Sequence, residues 1–126
     1  MNLNQARVAR LATCGQDLQP HCVPVCFLAS DRDIVIALDE KPKRVAPGQL
    51  RRVRNIRENP RVALLVDHYE EDWTRLSFAM IEGNARLDRL TQAETEGLRD
   101  KYPQYREMEL SECLRIEPER IVRWPC

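Results

Sequence analysis

Residues 61–68 read Arg-Val-Ala-Leu-Leu-Val-Asp-His, and every residue from position 62 to position 66 is apolar. The run follows the helix-ending pair Asn59-Pro60, so it predicts a buried β-strand. Its neighbours are strands joined by short turns, which indicates an antiparallel sheet with one strand that is apolar on both faces. Two short helices are too few to cover both faces. We therefore expect a second copy of the chain to cover the outer face, which makes the protein a homodimer.

Strand patterns also lie upstream of this run. Polar turns at residues 15–17 and 30–33 separate three stretches rich in β-forming residues. Strands that flank short polar turns pair as hairpins. The sequence therefore predicts a three-stranded antiparallel meander formed by residues 7–13, 21–29 and 34–38.

A helical pattern lies between this meander and the central run. Leu50, Val53 and Ile56 recur at three-residue spacing, and Pro47 suits the first turn of a helix. Asn59-Pro60 ends that helix. The sequence predicts one short helix here with its apolar side towards the sheet.

The downstream half alternates strand and helix again. Residues 76–87 predict a fifth strand, and residues 114–124 predict one or two closing strands. Between them, Thr91 and Glu94 have the spacing of a capping box, which predicts a helix to residue 101. The whole order predicts a mainly β protein with short helices, built as a small antiparallel barrel.

The composition fits one soluble globular domain spanning residues 1–126. Hydrophobic residues make up 43% and charged residues 32% of the chain, and 20 basic side chains balance 20 acidic ones. This balance gives no overall field that would draw the protein to nucleic acid, and no apolar run approaches the length of a membrane span. Five cysteines without a C-x-x-C pair, and no signal-peptide pattern, favour reduced thiols and a cytoplasmic location.

Basic residues concentrate between the third strand and the first helix. Lys41, Lys43 and Arg44 flank Pro42 there, in a connection held at both ends by rigid elements. Arginine offers a planar fork and lysine a mobile charge, so the cluster could surround a phosphate. A solvated basic loop is the alternative. Nucleic-acid binding is the rival use of this charge, and it has less support because no aromatic residues alternate with the basic ones.

Further residues bear on a binding site. Pro24 cannot donate a ladder hydrogen bond, which favours an edge strand that either binds a ring system or only prevents aggregation. Tyr69 and Trp73 could line a ring pocket or cap the core. His68 is the single histidine in a stretch of acidic residues, and one histidine offers too few ligands for a metal site. Because no hydrolase or nucleotide motif occurs, we expect neither a metal nor a catalytic side chain.

Five motifs occur in an order that resembles one known superfamily. They are ARVARLAT at residues 6–13, PHCVPV at 20–25, KPKR at 41–44, NIRENPRVALLVDHY at 55–69 and DW at 72–73. Together they resemble the pyridoxamine 5′-phosphate oxidase-like split β-barrel superfamily, and within it the branch of deazaflavin (coenzyme F420)-dependent oxidoreductases. The resemblance implies an antiparallel split β-barrel that works as a homodimer, with two cofactor sites in grooves between the subunits.

The resemblance also implies which residues bind the cofactor. Lys43 and Arg44 would hold the cofactor phosphate, with Lys41 assisting. The partner's Trp73 would close the ring pocket. The ring system and its ribityl chain would lie along Val23, Pro24, Val25, Ala37 and Leu38.

The function that the resemblance implies is hydride transfer between bound coenzyme F420 and a small organic acceptor. FMN is the alternative cofactor, and Arg51 and Arg52 would suit the longer anionic tail of the deazaflavin. A second alternative is a non-catalytic module that binds a flavin-type or haem-type ligand.

Overall fold

The computed structural model describes residues 2–38 and 50–125 of the chain. Within these ranges, 3₁₀ turns occupy Leu3–Gln5, Trp73–Arg75 and Pro103–Glu107. The strands and α-helices, in chain order, are β1 (Ala9–Cys14), β2 (Pro20–Val25), β3 (Leu28–Ala29), β4 (Ile34–Ala37), α1 (Arg51–Glu58), β5 (Arg61–His68), β6 (Ser77–Arg89), α2 (Gln92–Lys101) and β7 (Glu112–Trp124).

The strands form one seven-stranded sheet in the order β2-β1-β5-β6-β7-β4-β3. All its strand pairs are antiparallel. The outermost strands, β2 and β3, are joined by only Cys26 and Phe27, although six strand spacings in a flat sheet would put them roughly 29 Å apart. The sheet must therefore curl until its two ends almost meet. This confirms the mainly β, antiparallel split-barrel architecture.

The predicted meander is wrong in two respects: its second strand is divided, and its third strand lies at the opposite end of the sheet. Residues 21–29 do not form one strand, because the chain leaves the sheet at Cys26 and enters its opposite end at β3. Phe27 causes the break: its side chain is fully buried, and its backbone N–H donates to the hydroxyl of Tyr102 at 3.1 Å instead of to a strand. β4 then pairs with β3 only through Leu28 and Ala29, and with β7 along its whole length.

The closing segment is one long strand. β7 runs through Pro118 without a turn. Glu82 and Gly83 of β6 pair with Arg120 and Pro118, so Glu119 is the extra residue of a bulge in β7 beside the proline. A Cβ atom at Gly83 would overlap the backbone carbonyl of Glu117, so the bulge needs glycine.

The two helices lie on opposite faces of the sheet, because Ile34 and Ile36 of β4 pack in the core with α1, whereas Val35 and Ala37 pack in the core with α2. α1 buries Val53 and Ile56 as predicted, although it begins at Arg51, and Pro47 lies outside the described residues. α2 begins with the predicted capping box, in which Thr91 and Glu94 bond each other's backbone N–H. The main core lies between the sheet and α1, and a second core lies beneath α2. No helix in residues 2–38 and 50–125 is long and apolar enough to cross a membrane.

The outer face of the sheet carries an apolar patch. β5 alternates as the pleat requires, with Leu64 fully buried and Leu65 37% exposed. The register places Leu65 beside Met80, and Met80 beside Val122, on the same face. We call the surface formed by Ala12, Ala63, Leu65, Met80 and Val122 the outer apolar patch. Nothing in the described part of the chain covers it, so a covering second copy stays a prediction.

Candidate cofactor groove

A groove opens where the two ends of the curled sheet approach each other. Its volume is about 140 Å³. One wall is the end of the edge strand β2, and the opposite wall is the end of β4, with which β2 does not pair. The lining residues are Pro24, Val25, Cys26, Ile36, Ala37, Arg52 and Tyr105.

The groove contains three of the predicted ring-binding residues. Pro24, Val25 and Ala37 line it together, and Pro24 lies in an edge strand as its missing N–H suggested. Val23 and Leu38 pack on the main core and do not line it. The free side of β2 leaves backbone groups available to a bound ring.

Arg52 and Tyr105 also line the groove. The sequence indicates Arg52 only as an extra positive charge for the long anionic tail of the deazaflavin, and it does not indicate Tyr105 as a site residue. Tyr105 is buried beside Ala37 in the second core. Because the two residues are far apart in the sequence, no local pattern predicts that they meet. Arg51 is directed elsewhere: it donates to Asp17 at 2.9 Å and to Asn55 at 3.0 Å. Of the two neighbouring arginines, only Arg52 supplies positive charge to the groove.

The predicted phosphate-binding residues Lys41, Lys43 and Arg44 lie outside the described residues. Both ends of their segment are described. Leu38 is buried directly after the groove residue Ala37, and Leu50 packs on the main core two residues before Arg52. The two described residues that flank the basic segment, Leu38 and Leu50, are therefore each within two positions of a groove residue.

Trp73 does not contact this groove within one chain. It begins the 3₁₀ turn Trp73–Arg75, which Asp72 caps by accepting from the backbone N–H of Thr74 at 3.0 Å. The indole is 71% exposed, and its N–H donates to the hydroxyl of Tyr69 at 3.4 Å. A closing role for Trp73 therefore depends on a second chain.

A second cavity lies at the far end of β5 and β6. We call it the aromatic pocket; its volume is about 270 Å³, and it is lined by Asp67, His68, Tyr69, Leu76, Ser77, Phe78 and Trp124. An adjoining cavity of about 310 Å³ shares Asp67, His68 and Ser77 and is completed by Asn2, Gln5 and Ala6. His68 thus lies where an aromatic wall meets a polar one.

Charged groups surround His68. Its Nε2 lies 2.5 Å from a carboxylate oxygen of Glu70. The other carboxylate oxygen of Glu70 lies 3.5 Å from Nε of Arg75. Asp67 pairs with Arg10 of β1 at 3.1 Å. The sequence around His68 is acidic, but only the strand register shows that His68 is opposite Ser77.

Lys101 lies behind the groove, at the crossing from β2 to β3. Its ammonium donates to the carbonyl of Phe27 at 2.9 Å and lies 3.6 Å from the centre of the Phe27 ring. Burial, with a smaller contribution from the nearby charge of Arg7, lowers the pKa of Lys101 to about 8. Burial likewise raises the pKa of the Cys113 thiol to about 11, so this thiol stays protonated.

The groove fits part of a flat ring cofactor. Its apolar walls, the free edge of β2 and one guanidinium suit a ring with an anionic substituent. Sites for whole small molecules usually measure roughly 300–1,000 Å³, so the rest of such a ligand would extend beyond these residues. Within the described ranges, no cluster of three or more His, Cys, Asp or Glu side chains could hold a metal ion.

Comparisons with known proteins agree with this architecture. Residues 2–125 match the family described as pyridoxamine 5′-phosphate oxidase. The chain is 34% identical over 116 residues to the 5a,11a-dehydrotetracycline/5a,11a-dehydrooxytetracycline reductase of Streptomyces rimosus, covering 91% of this chain and 72% of that protein.

Two solved structures show the same fold. A conserved hypothetical protein of Mycobacterium tuberculosis is 22% identical with a TM-score of 0.75, covering 96% of this chain and 78% of that one. The haem storage protein HutZ of Vibrio cholerae is 14% identical with a TM-score of 0.70, covering 95% and 88%. The resemblance predicted from the sequence is confirmed: the chain belongs to the pyridoxamine 5′-phosphate oxidase family.

Proposed function

We propose that the protein is an oxidoreductase that transfers hydride between bound coenzyme F420 and a small organic acceptor, and that it works as a homodimer. Its similarity to a reductase over 91% of the chain supports the reaction class. That relative is named for acting on dehydro compounds, and a reductase adds hydrogen to such a compound. FMN is the alternative cofactor for the same groove.

The observation that carries the proposal is the convergence at the groove. Pro24 of the edge strand, Ala37 at the end of β4 and Arg52 of α1 line one cleft. Ala37 and Arg52, the groove residues on either side of the chain segment that holds Lys41, Lys43 and Arg44, bring the two described flanks of that segment to this cleft. Apolar walls with the guanidinium of Arg52, and with three basic residues in the connecting segment of the sequence, suit a flat ring with an anionic tail.

In this proposal, the protein binds and orients the cofactor. Lys43 and Arg44 hold the phosphate of the tail, Lys41 assists, and Arg52 adds positive charge beside it. Pro24 and Ala37 support the ring and keep water from one of its faces. The bound cofactor supplies the redox chemistry, so the groove itself needs no nucleophile.

A second chain completes the site in this proposal. The groove of one chain is too small for the whole cofactor, while Trp73 is left 71% exposed. The outer apolar patch offers a surface that a second copy can cover, with the partner's Trp73 brought against the ring. The patch and the exposed indole are then explained together.

Equilibrium titration tests the cofactor assignment. Purified protein is titrated with F420, FMN and hemin while absorption and fluorescence are recorded. We expect micromolar or tighter binding of F420. The variant Lys43→Ala/Arg44→Ala should weaken it at least about 100-fold, since each charge-assisted contact contributes roughly 1.5–3 kcal/mol. Arg54→Ala is the matched control, because Arg54 lies on the exposed side of α1 outside the groove.

Other results of the titration would change the assignment of the cofactor or contradict the proposal. Tight FMN binding without F420 binding would assign the alternative cofactor. Binding of hemin alone would support the non-catalytic module instead of an oxidoreductase. Binding of none of the three, or a monomer by sedimentation in the presence of cofactor, would contradict the proposal.

A further inference from the structure

The exposed aromatic side chains of the chain gather at one end of the sheet. The chain has two tryptophans, three tyrosines and two phenylalanines. Three of these are buried, and the exposed ones are Tyr69, Trp73, Phe78 and Trp124. Tyr69, Phe78 and Trp124 line the aromatic pocket, and the indole N–H of Trp73 donates to the hydroxyl of Tyr69. Exposed apolar side chains that cluster in this way mark a surface that binds something.

Four carboxylates lie beside this pocket, on the end of β5 and the connection that follows it. They are Asp67, Glu70, Glu71 and Asp72. Two guanidinium groups offset part of their charge, because Arg10 pairs with Asp67 and Arg75 pairs with Glu70. Arg123 lies on β7 one residue from the pocket, and strand alternation turns it to the opposite face. The two remaining carboxylates therefore give the region excess negative charge.

Glu71 and Asp72 supply this excess. Within residues 2–38 and 50–125, neither makes an ion pair. Glu71 accepts from the hydroxyl of Tyr69 at 3.4 Å, and Asp72 accepts from the hydroxyl and the backbone N–H of Thr74 at 2.7 and 3.0 Å. These bonds from Thr74 hold the pKa of Asp72 below its ordinary value of 3.8, so this carboxylate stays ionised at neutral pH.

An organic cation suits both the aromatic wall and the acidic surroundings. The faces of aromatic rings attract a cation that lies within roughly 6 Å, and tryptophan attracts it most strongly. Nearby carboxylates raise the local concentration of cations. A nitrogen that carries methyl groups suits a largely apolar wall better than an ammonium with N–H groups, because it has no donors that must be satisfied. The cavity of about 270 Å³ is close to the roughly 300 Å³ at which sites for small molecules begin.

We propose that the aromatic pocket binds a small organic cation of the quaternary ammonium type, held by Tyr69, Phe78 and Trp124 and attracted by the carboxylates of Glu71 and Asp72. The pocket and the candidate cofactor groove share no lining residue. Cation binding here is therefore independent of the proposed function, and the pocket acts by binding alone.

A matched pair of probes tests the role of charge. Choline is the cation, and 3,3-dimethylbutanol is its neutral control, because a carbon replaces the charged nitrogen in a molecule of the same shape. Each is titrated by calorimetry and by proton–nitrogen NMR into purified, cofactor-free protein at low salt, and Trp73→Phe identifies which indole signal belongs to Trp73. Choline should shift the Trp124 signal saturably and bind at least about fivefold more tightly than the alcohol. Equal binding of the two probes, or no binding of choline, would overturn the proposal.

Two variants separate the aromatic wall from the acids. Trp124→Leu keeps an apolar side chain but removes the ring face, so it should weaken choline binding at least about fivefold and change alcohol binding less than about twofold. Glu71→Gln/Asp72→Asn should weaken choline binding about threefold at low salt and less at high salt, because salt screens exposed charges. Glu107→Gln/Glu109→Gln is the matched control, since it removes two exposed acids after α2, outside the pocket. Wild-type choline affinity in either of the first two variants would overturn the proposal.

The remaining outcomes distinguish this site from other uses of the same surface. A Trp124 signal that shifts on dilution of the protein but not with choline would make the surface a contact between chains and overturn cation binding. Choline binding by a protein that binds neither F420 nor FMN would contradict the proposed function alone. Binding of a ring cofactor without binding of choline would overturn cation binding and leave the proposed function standing.

Discussion

Removal of the Arg115 guanidinium should loosen the wall of the groove. Arg115 lies on β7 with its side chain 9% exposed, and three carboxylates surround it. Glu94 of α2 accepts at 2.6 and 2.9 Å, Asp88 of β6 accepts at 2.7 Å, and Asp33 accepts at 2.9 Å. These bonds fix α2 against the sheet. Tyr105 of the groove belongs to the core beneath that helix.

The expected magnitude follows from partial burial of the network. Removing one partner of a fully buried ion pair costs roughly 3–5 kcal/mol, because the remaining charge is left without compensation. The carboxylate of Glu94 keeps 17% of its surface exposed, and water can relieve part of this cost. We therefore expect Arg115→Met to lower the free energy of unfolding by about 2–3 kcal/mol and Tm by roughly 10 °C.

The pH dependence of this loss of stability shows whether the ion pairs of Arg115 cause it. Hydrogen bonds from Arg115 are the largest reason that the pKa values of Glu94 and Asp88 lie below their ordinary values of 4.5 and 3.8. A lowered pKa in the folded state stabilises the protein above those ordinary values, and this stabilisation is lost as pH falls below them. The difference between wild type and Arg115→Met should therefore be largest near neutral pH and should shrink below about pH 4.5.

Urea unfolding at several pH values, followed by circular dichroism, measures both effects. Arg86→Met is the matched control: Arg86 pairs with Glu117 and Asp88 but is 53% exposed, so its loss should cost under about 1 kcal/mol. The reasoning is refuted if Arg115→Met is no more destabilising than Arg86→Met. It is also refuted if the effect of Arg115→Met is the same at pH 7 and pH 4.

Three further predictions concern the surface, the bulge and a buried amine. Leu65→Glu places a charge in the outer apolar patch and should convert the proposed dimer to a monomer in sedimentation. A wild-type monomer, or a variant that remains dimeric, would contradict an interface at this patch. Gly83→Ala should lower the free energy of unfolding in urea by about 2 kcal/mol, because its Cβ would overlap the backbone of Glu117; Gly97→Ala, where only a flexible side chain must move, should cost less. The pKa of Lys101 is about 8 in the folded protein, against an ordinary value of 10.5. Between these two pH values the unfolded chain binds more protons than the folded one, so the free energy of unfolding in urea should rise with pH. Lys101→Met should lack this rise.

Local sequence signals located most of the strands and helices. The strand predicted at residues 61–68 from its apolar run is β5, and α2 begins with the predicted Thr91 capping box. The break at Phe27 could not be predicted in this way, because its cause is the hydroxyl of Tyr102, 75 residues away. The continuity of β7 through Pro118 likewise depends on pairing with Gly83 of another strand, where any side chain would overlap the backbone of Glu117.

Only part of the candidate site could be predicted from the sequence. The missing N–H of Pro24 indicated an edge strand, and the family resemblance added Ala37; both line the groove. Arg52 and Tyr105 join them only because α1 and the turn after α2 are folded against the ends of the sheet. Leu38 was assigned to the ring but follows a strand whose four residues are all buried, and it packs into the core.

The structure of the protein with bound F420 tests the central claim most directly. The account predicts the ring against Pro24 and Ala37, in a groove shared by two chains, with the tail phosphate within hydrogen-bonding distance of Lys43 or Arg44. A ring bound away from β2, or a tail phosphate held without either basic residue, would contradict it.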